Sequence, residues 1–311
     1  MTGPLVTVGV PTAYRAASLH RLLAALPAAM AGGPPAEVVV VDNDAAGSAR
    51  AVVERSGVAA RYVLEPQPGS AFARNRATAE ATTPVIAFLD DDVVPQPGWL
   101  AALVAPVLAG AAGSGGRVVL DPAVRRPRWL DEQGVGGYLT AFDVEGPARV
   151  LRRDEYVVTA NAAFDVAALR AAGGFDPALG PRPGAQIVAD DVHVVRVLQR
   201  AGGDVWWVPD AVVVHDLPAE RARPGWLLRR AYLQGRSDWL LDTDELRARR
   251  AGGARIALSW LGSELRSRGR EGLLDPATAF HAATDVARTA GALGEALRLA
   301  RRDRRGRTDG S

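Results

Sequence analysis

The sequence predicts an α/β fold in which a mostly parallel sheet is flanked by helices and followed by a C-terminal helical extension. Short runs rich in Val, Ile and Leu alternate with stretches whose apolar residues recur at helical spacing. Gly, Pro and Asp bound these runs, as is typical of buried strands in a parallel sheet. The 311 residues, 48% of them hydrophobic, are enough for one large domain with appended helices.

The first half of the chain predicts four strands separated by three helices. The predicted strands are 6–10, 38–41, 61–64 and 85–89. Helices are predicted at 18–30 and 48–56, and residues 69–82 are predicted to be a loop that enters a third helix. The second strand ends at Asp42-Asn43-Asp44 and the fourth at Asp90-Asp91-Asp92. Because ligands bind beyond the carboxyl ends of parallel strands, Asp42 and Asp90 are candidate binding residues.

The second half predicts an edge strand at 156–161 that ends at Asn161, then a helix that starts at Asp190-Asp191. Two short strands follow, and the second of these ends at His215. Helices then continue to an arginine-rich end. The expected domains are 1–222 for binding and catalysis, 223–300 as a helical extension, and 301–311 as a disordered basic tail.

Composition excludes several kinds of chemistry. All 37 basic residues are arginines, so a lysine nucleophile, a Schiff base and a phosphate-loop lysine are excluded. The absence of cysteine excludes disulfides and thiolate metal sites. Neither a transmembrane run nor a leader is visible, so a cytoplasmic protein is expected.

The three aspartates after the central strand are the main chemical signal. Adjacent carboxylates repel one another, and a divalent cation such as Mg²⁺ or Mn²⁺ compensates them and also attracts a diphosphate. An exposed acidic turn is an equally weighted alternative on these residues alone. Asp190-Asp191 has the simpler explanation of capping a helix, although two aspartates exceed what one cap requires.

Taken together, these segments resemble the family 2 glycosyltransferases with the Rossmann-like GT-A fold, over roughly residues 4–240. The matching stretches are Val-Gly-Val-Pro-Thr from Val8, Val-Val-Val-Asp-Asn-Asp from Val39, Ala-Arg-Asn-Arg from Ala73, Phe-Leu-Asp-Asp-Asp from Phe88, Gly-Gly-Phe-Asp from Gly173, and Val-Pro-Asp-Ala-Val-Val-Val-His ending at His215. Each stretch is short, and their order and spacing make the resemblance specific.

The resemblance implies three sets of site residues. Asp191, with Asp190 beside it, is implied as the general base of an inverting enzyme. Asp92, Asp90 and His215 are implied as metal ligands, with Asp92 foremost. The implied donor-binding residues are Pro11, Thr12, Asp42, Asp44, Arg74, Asp90, Asp91 and Asn161.

Three departures from the family pattern stand out. Ala13-Tyr14 replaces the usual Tyr-Asn, and Asp190 replaces the usual Glu. The stretch Gln234–Trp239 is not the Q-x-x-R-W signature of processive polymerases, which indicates transfer of a single sugar.

The resemblance therefore implies an enzyme that uses Mn²⁺ or Mg²⁺ to move one sugar from a nucleoside diphosphate sugar. Asp42 at a strand end could accept from an imide N–H, which favours UDP or dTDP. The acceptor would be a hydroxyl of a glycan, a lipid-linked compound or a small molecule, and no nucleic acid is expected. The arginines of 301–307 could contact an anionic membrane at its inner face, while a solvated end is the alternative.

Two other functions are open. Asp90–Val94 also fits the first motif of haloacid-dehalogenase phosphohydrolases. Those enzymes normally use a lysine, which this chain lacks, and their motif follows an early strand, whereas here it follows the fourth. A non-catalytic protein that binds nucleotide-sugars is the other alternative, against which the separate base candidate Asp191 argues.

Overall fold

The computed structural model describes residues 3–122, 136–183, 187–241 and 276–308. Within these ranges the strands are β1 Val6–Thr12, β2 Ala36–Asp42, β3 Ala60–Leu64, β4 Val85–Leu89, β5 Val93–Pro95, β6 Gly113–Leu120, β7 Arg149–Val150, β8 Asn161–Asp165 and β9 Val205–His215. The α-helices are α1 Ala16–Met30, α2 Arg50–Arg55, α3 Ser70–Glu80, α4 Trp99–Leu108, α5 Val166–Ala171, α6 Asp190–Arg200, α7 Pro224–Leu241 and α8 Pro276–Thr308.

The strands form one mixed sheet in the order β3-β2-β1-β4-β8-β6-β9-β5, with β7 on β9. The first four strands are parallel, as predicted. Among the described residues, four of the eight strand pairings are antiparallel, because β8 runs against both β4 and β6, and β5 and β7 run against β9. The sheet is therefore less parallel than the sequence suggests.

Side chains on the two faces of the sheet form two buried clusters. Val10 of β1 packs with Leu22 of α1 on one face, and Val39 of β2 packs in the same cluster as Phe88 of β4 on the other. Strand residues alternate between faces, so the apolar runs that predicted buried strands supply both clusters. This packing holds the carboxyl ends of β1, β2 and β4 at one edge of the sheet.

Two predictions about strands are wrong in detail. The edge strand expected at 156–161 is instead β8, which begins at Asn161 and lies inside the sheet. The two strands expected around Pro209-Asp210 are one strand, β9, and its register against β6 shifts between Gly116 and Arg117. A bulge of this kind accommodates a proline without ending the strand.

The glycine run at the start of β6 has a packing role. A Cβ on Gly115 would lie 2.3 Å from Val157, and one on Gly116 would lie 2.0 Å from the carbonyl oxygen of Ala211. Glycine is therefore required by close approach of neighbouring chain segments.

The chain divides into two compact units. The first comprises 1–123, 140–186 and 190–217, and the second comprises 124–139, 187–189 and 218–311. The main division falls at 217/218, close to the predicted boundary at 222. All the predicted site residues belong to the first unit.

In the second unit, α7 and α8 approach closely at two glycines. A Cβ on Gly235 would lie 1.7 Å from the carbonyl oxygen of Arg288. Buried Glu295 accepts hydrogen bonds from Arg236, at 3.0 Å, and from Arg298, at 2.8 Å. Helix α8 continues to Thr308, into the tail that was expected to be disordered from 301. None of the helices in the described ranges is long and apolar enough to cross a membrane.

Candidate active site

Asp91 is the fixed member of the three aspartates that follow β4. The hydroxyl of Thr12, the last residue of β1, donates to Asp91 Oδ2 at 2.7 Å. Arg15 Nη1 donates to Asp91 Oδ1 at 2.8 Å. Burial raises the pKa of Asp91, and Arg15 and Thr12 oppose that rise. Asp91 is therefore held by Thr12 on one oxygen and by Arg15 on the other.

Asp92 meets His215 because β5 pairs with the end of β9. The pairing places Val93 opposite His215, which brings His215 Nε2 to 3.5 Å from Asp92 Oδ2. Both side chains are nearly buried. Arg15 Nη1 lies 2.8 Å from the same Asp92 oxygen. A carboxylate and an imidazole this close together can both coordinate one divalent ion. In this structure the Arg15 guanidinium supplies a positive charge at the same position.

Asp90 is paired differently from the other predicted metal ligands. Its Oδ1 accepts from Arg74 Nη2 at 2.9 Å. In the part of the chain that the structure describes, no group of three or more His, Asp or Glu side chains is arranged to hold a metal ion. The three predicted metal ligands Asp90, Asp92 and His215 are thus not assembled around one point. Asp92 and His215 contact each other, whereas Asp90 is paired with Arg74.

Arg74 joins the two acidic motifs. Its Nη1 lies 2.8 Å from Asp190 Oδ2, and its Nη2 reaches Asp90. The Arg74 and Asp190 side chains are 8% and 5% exposed. Burial raises the pKa of Asp190, and the Arg74 charge opposes this. Asp90 and Asp190 therefore both engage the guanidinium of Arg74, which the resemblance implied as a donor-binding residue.

Asp191 differs from its neighbour Asp190 in exposure and partners. It lies in the first turn of α6, is partly exposed, and its Oδ1 accepts from the backbone N–H of Val192 at 2.8 Å. Desolvation and the nearby Asp190 charge raise the pKa of Asp191 to about 6, although Arg74 lowers it. A carboxyl group with this pKa is suited to accept a proton near neutral pH.

The Asp42 carboxylate, which was predicted to contact the nucleotide, is engaged by groups of the protein itself. It is fully buried at the end of β2. Its oxygens accept from the backbone N–H groups of Asp44, at 3.1 Å, and Ala49, at 2.8 Å, and from the Tyr62 hydroxyl, at 3.0 Å. The carboxylate therefore holds the loop that follows β2, because a buried charge needs this many donors.

Asp44 and Pro11 lie at the same edge of the sheet. Asp44 is nearly buried, and hydrogen bonds from the Ala46 N–H and the Ser48 hydroxyl lower its pKa. The Tyr14 hydroxyl contributes in the same direction. Pro11 is a residue of β1 opposite Val41.

Asn161 is also used within the protein, although the sequence suggested a ligand contact. Its Oδ1 accepts from the Trp99 indole N–H at 2.8 Å. Its Nδ2 donates to the carbonyl oxygens of Arg117, at 3.0 Å, and Ala211, at 2.7 Å. The side chain is fully buried, and its amide satisfies backbone carbonyl groups at the irregular stretch of β9, so its predicted contact with the donor has no support from this geometry.

Two residues near the site were missed by sequence reasoning. Arg15 contacts Asp91 and Asp92, and Tyr14 beside it is 77% exposed with a left-handed φ of 60°. A non-glycine residue in that conformation is uncommon, and such strain clusters at functional sites. The only sequence signal was the departure from the family pattern at Ala13-Tyr14.

Several known proteins are similar to this chain. A family model described as glycosyl transferase family 2 matches residues 7–171, which is more than half of the chain. The succinoglycan biosynthesis protein ExoM of Rhizobium meliloti is 31% identical over 64% of this chain and 63% of that protein. The glucosyl-dolichyl phosphate glucuronosyltransferase of Haloferax volcanii is 27% identical over 56% of each. The chain thus spans less than two thirds of these relatives.

Among solved structures, the mannosyltransferase PcManGT from Pyrobaculum calidifontis, in complex with GDP-Man and Mn²⁺, superposes with a TM-score of 0.61. The match covers 95% of this chain and 88% of that protein at 23% identity. At this identity the likeness shows the fold, which is GT-A.

Proposed function

The chain belongs to glycosyl transferase family 2, and from this premise we propose that it transfers one sugar from a nucleoside diphosphate sugar to an acceptor hydroxyl, with inversion at the anomeric carbon. The observation that carries the proposal is the arrangement of Asp92 and His215 at one strand edge with Asp191 in the first turn of α6. Arg74 and Asp190 link the two motifs.

Asp92 and His215 would hold a divalent ion, Mn²⁺ or Mg²⁺. Their oxygen and nitrogen atoms suit such ions, and the Arg15 guanidinium beside Asp92 supports the view that this position favours positive charge. When bound, the ion would neutralise the departing nucleoside diphosphate as a Lewis acid. Since the protein offers few ligands of its own, phosphate oxygens are expected to complete the set, as is usual for Mg²⁺ in nucleotide enzymes.

Asp191 would take the proton from the acceptor hydroxyl as the sugar is transferred. Its pKa of about 6 leaves it ionised at neutral pH while keeping it a useful base. Asp190 is buried against Arg74, so it would position the start of α6 and would not reach the acceptor.

The expected preference for UDP or dTDP depended on Asp42, whose carboxylate accepts three hydrogen bonds inside the protein. We therefore propose a nucleoside diphosphate sugar as donor, with UDP and dTDP compared directly against GDP.

A lipid-linked acceptor is proposed together with a contact to anionic membrane. Val286 and Leu297 on α8 are 38% and 44% exposed, and five arginines follow within 301–307. Apolar side chains followed by positive charge fit an anionic lipid surface. Salt-sensitive sedimentation with anionic vesicles supports this contact, and equal recovery with neutral vesicles excludes it.

The two alternatives receive no support. Membership of this family argues against the haloacid-dehalogenase alternative. Asp191 is partly exposed in the first turn of α6 and is separate from the proposed metal ligands, which argues against a protein that only binds nucleotide-sugar.

A donor screen tests the proposal. UDP-, dTDP- and GDP-sugars are measured for thermal stabilisation and slow donor hydrolysis, with Mn²⁺ and with chelator. Asp92→Asn should abolish the Mn²⁺-dependent part of both signals. Asp216→Asn is the matched control, since Asp216 is exposed and paired with Arg21. Binding of every donor unchanged in chelator would refute metal dependence, and no response to any donor would refute the proposed function.

A further inference from the structure

Arg15 places a cation on the acidic motif from the loop before α1. Its Nη1 lies 2.8 Å from Asp91 Oδ1 and 2.8 Å from Asp92 Oδ2. The Arg15 side chain is 43% exposed, whereas those of Asp91 and Asp92 are 4% and 10% exposed. The guanidinium therefore contacts nearly buried carboxylates while part of the side chain faces solvent.

The two carboxylates that Arg15 contacts have unequal roles. Asp91 is anchored from its other oxygen by Thr12, so its position is set by the fold. The Asp92 oxygen that meets Arg15 is also the atom 3.5 Å from His215 Nε2. Arg15 thus contacts the oxygen proposed to hold the metal.

A divalent ion on that oxygen would lie close to the Arg15 charge. Like charges a few ångströms apart at a partly buried site repel strongly, because little water screens them. The described residues also contain no group of three His, Asp or Glu side chains arranged to hold the ion without help. Both features disfavour binding of metal alone.

A diphosphate changes this balance. Its negative charge attracts both cations, and a guanidinium forms strong charge-assisted hydrogen bonds with phosphate oxygens. The solvent-facing part of Arg15 allows the side chain to turn toward a ligand entering at the strand edge.

We infer that Arg15 is a ligand of the donor diphosphate, and that its pairing with Asp91 and Asp92 in the donor-free enzyme makes metal binding depend on the donor. This inference rests on the proposed function and adds a residue and a binding order to it. Coupling between two ligands is reciprocal, so the nucleotide should raise metal affinity by the same factor as metal raises nucleotide affinity.

The test measures binding of Mn²⁺ by electron paramagnetic resonance and binding of UDP and GDP by calorimetry, using the full chain. In the parental protein, the better nucleotide should tighten Mn²⁺ binding about tenfold or more, a coupling within the range of ordinary linked sites. In Arg15→Gln, Mn²⁺ alone should bind more tightly than in the parent, and nucleotide in the presence of Mn²⁺ should bind more weakly. The factor by which nucleotide tightens Mn²⁺ binding should therefore fall by about tenfold.

Arg21→Gln is the matched control. It removes the same charge from α1, and Arg21 pairs with Asp216 without contacting Asp91 or Asp92. Arg15→Lys keeps the charge but not the planar guanidinium, and it should retain part of the coupling. Thermal melting checks that each variant folds, and binding is expressed per folded molecule.

The outcomes separate this inference from the proposed function. If Arg15→Gln shows the same coupling between Mn²⁺ and nucleotide binding as the parental protein, the Arg15 ion pairs are only structural and the inference is wrong. An equal loss of coupling in Arg21→Gln also overturns it, because overall charge would then be the cause. If the parental protein binds neither ligand, the proposed function and this inference both fail.

Discussion

Arg74 and Asp190 form a buried ion pair, with Arg74 Nη1 2.8 Å from Asp190 Oδ2. The same guanidinium reaches Asp90 Oδ1 at 2.9 Å. One arginine from α3 therefore compensates carboxylates from both acidic motifs, which lie far apart in the sequence. Its buried charge lowers the pKa of Asp191 beside them and so influences the proposed base as well.

Replacing Arg74 with Met should destabilise the protein. Removal of one partner leaves Asp190 buried without its compensating charge, which costs about 3–5 kcal/mol. Denaturant unfolding of the variant measures this loss. Arg76→Gln on the same helix is the control, because Arg76 is 41% exposed in its pair with Glu80 and should change stability by less than about 0.5 kcal/mol. Similar losses in both variants would contradict the importance of the buried pair.

Asp191→Asn should retain fold and donor affinity but lower the transfer rate by about 10²–10⁴-fold, the contribution of a positioned general base. Single-turnover measurements at saturating donor separate this effect from binding. Asp190→Asn should instead lower the free energy of unfolding, because it breaks the pair with Arg74. A variant at Asp191 with parental turnover would remove the residue from the base role.

The pH dependence of kcat/KM should show an acid limb near pH 6. Asp191 must be ionised to accept a proton, and its pKa is raised to about 6, so kcat/KM should fall about tenfold per unit below that pH. Above it the profile should level off. Arg74→Gln should move the limb to higher pH, because the Arg74 charge lowers the pKa of Asp191. A limb that stays in place in the variant would show that another group controls it.

Asp42→Asn should affect stability and leave nucleotide selectivity unchanged. Its carboxylate accepts hydrogen bonds from two backbone N–H groups and from the Tyr62 hydroxyl. The side-chain NH₂ group of an asparagine would face some of these donors without an acceptor. The expected loss is about 2–3 kcal/mol, as for hydrogen bonds to a buried charge. Asp210→Asn is the control, because Asp210 is exposed on β9, and this variant should be nearly neutral. A changed ratio of UDP to GDP affinity would restore Asp42 as a base-contacting residue.

Gly235→Ala should loosen the packing of α7 on α8. The added Cβ would meet the Arg288 carbonyl oxygen, and both helix backbones must shift at a cost of about 1–3 kcal/mol. Gly225→Ala on the same helix has nothing within 4 Å of the new atom and should be neutral or stabilising by up to about 1 kcal/mol. Thermal unfolding of the two variants gives the comparison, and equal melting temperatures would argue against this close helix contact.

The sequence alone was sufficient to locate the parallel half of the sheet and the acidic motifs. Buried strands need continuous apolar runs, and the residues that follow them must be turn formers, so Asp42 and Asp90 could be placed at strand ends. The ordered motifs also indicated the family, which the match over residues 7–171 confirms.

Tertiary structure decided which of these polar residues face one another. The direction of β8 is set by its partners β4 and β6, because the apolar pattern of a strand is the same in either direction. Arg15 and Asp91 are 76 positions apart, and Arg74 and Asp190 are 116 apart. Ion pairs between residues this far apart in the sequence depend on the complete fold. The fold also buries Asp42 and Asn161, whose side chains form hydrogen bonds within the protein, and leaves Asp191 partly exposed.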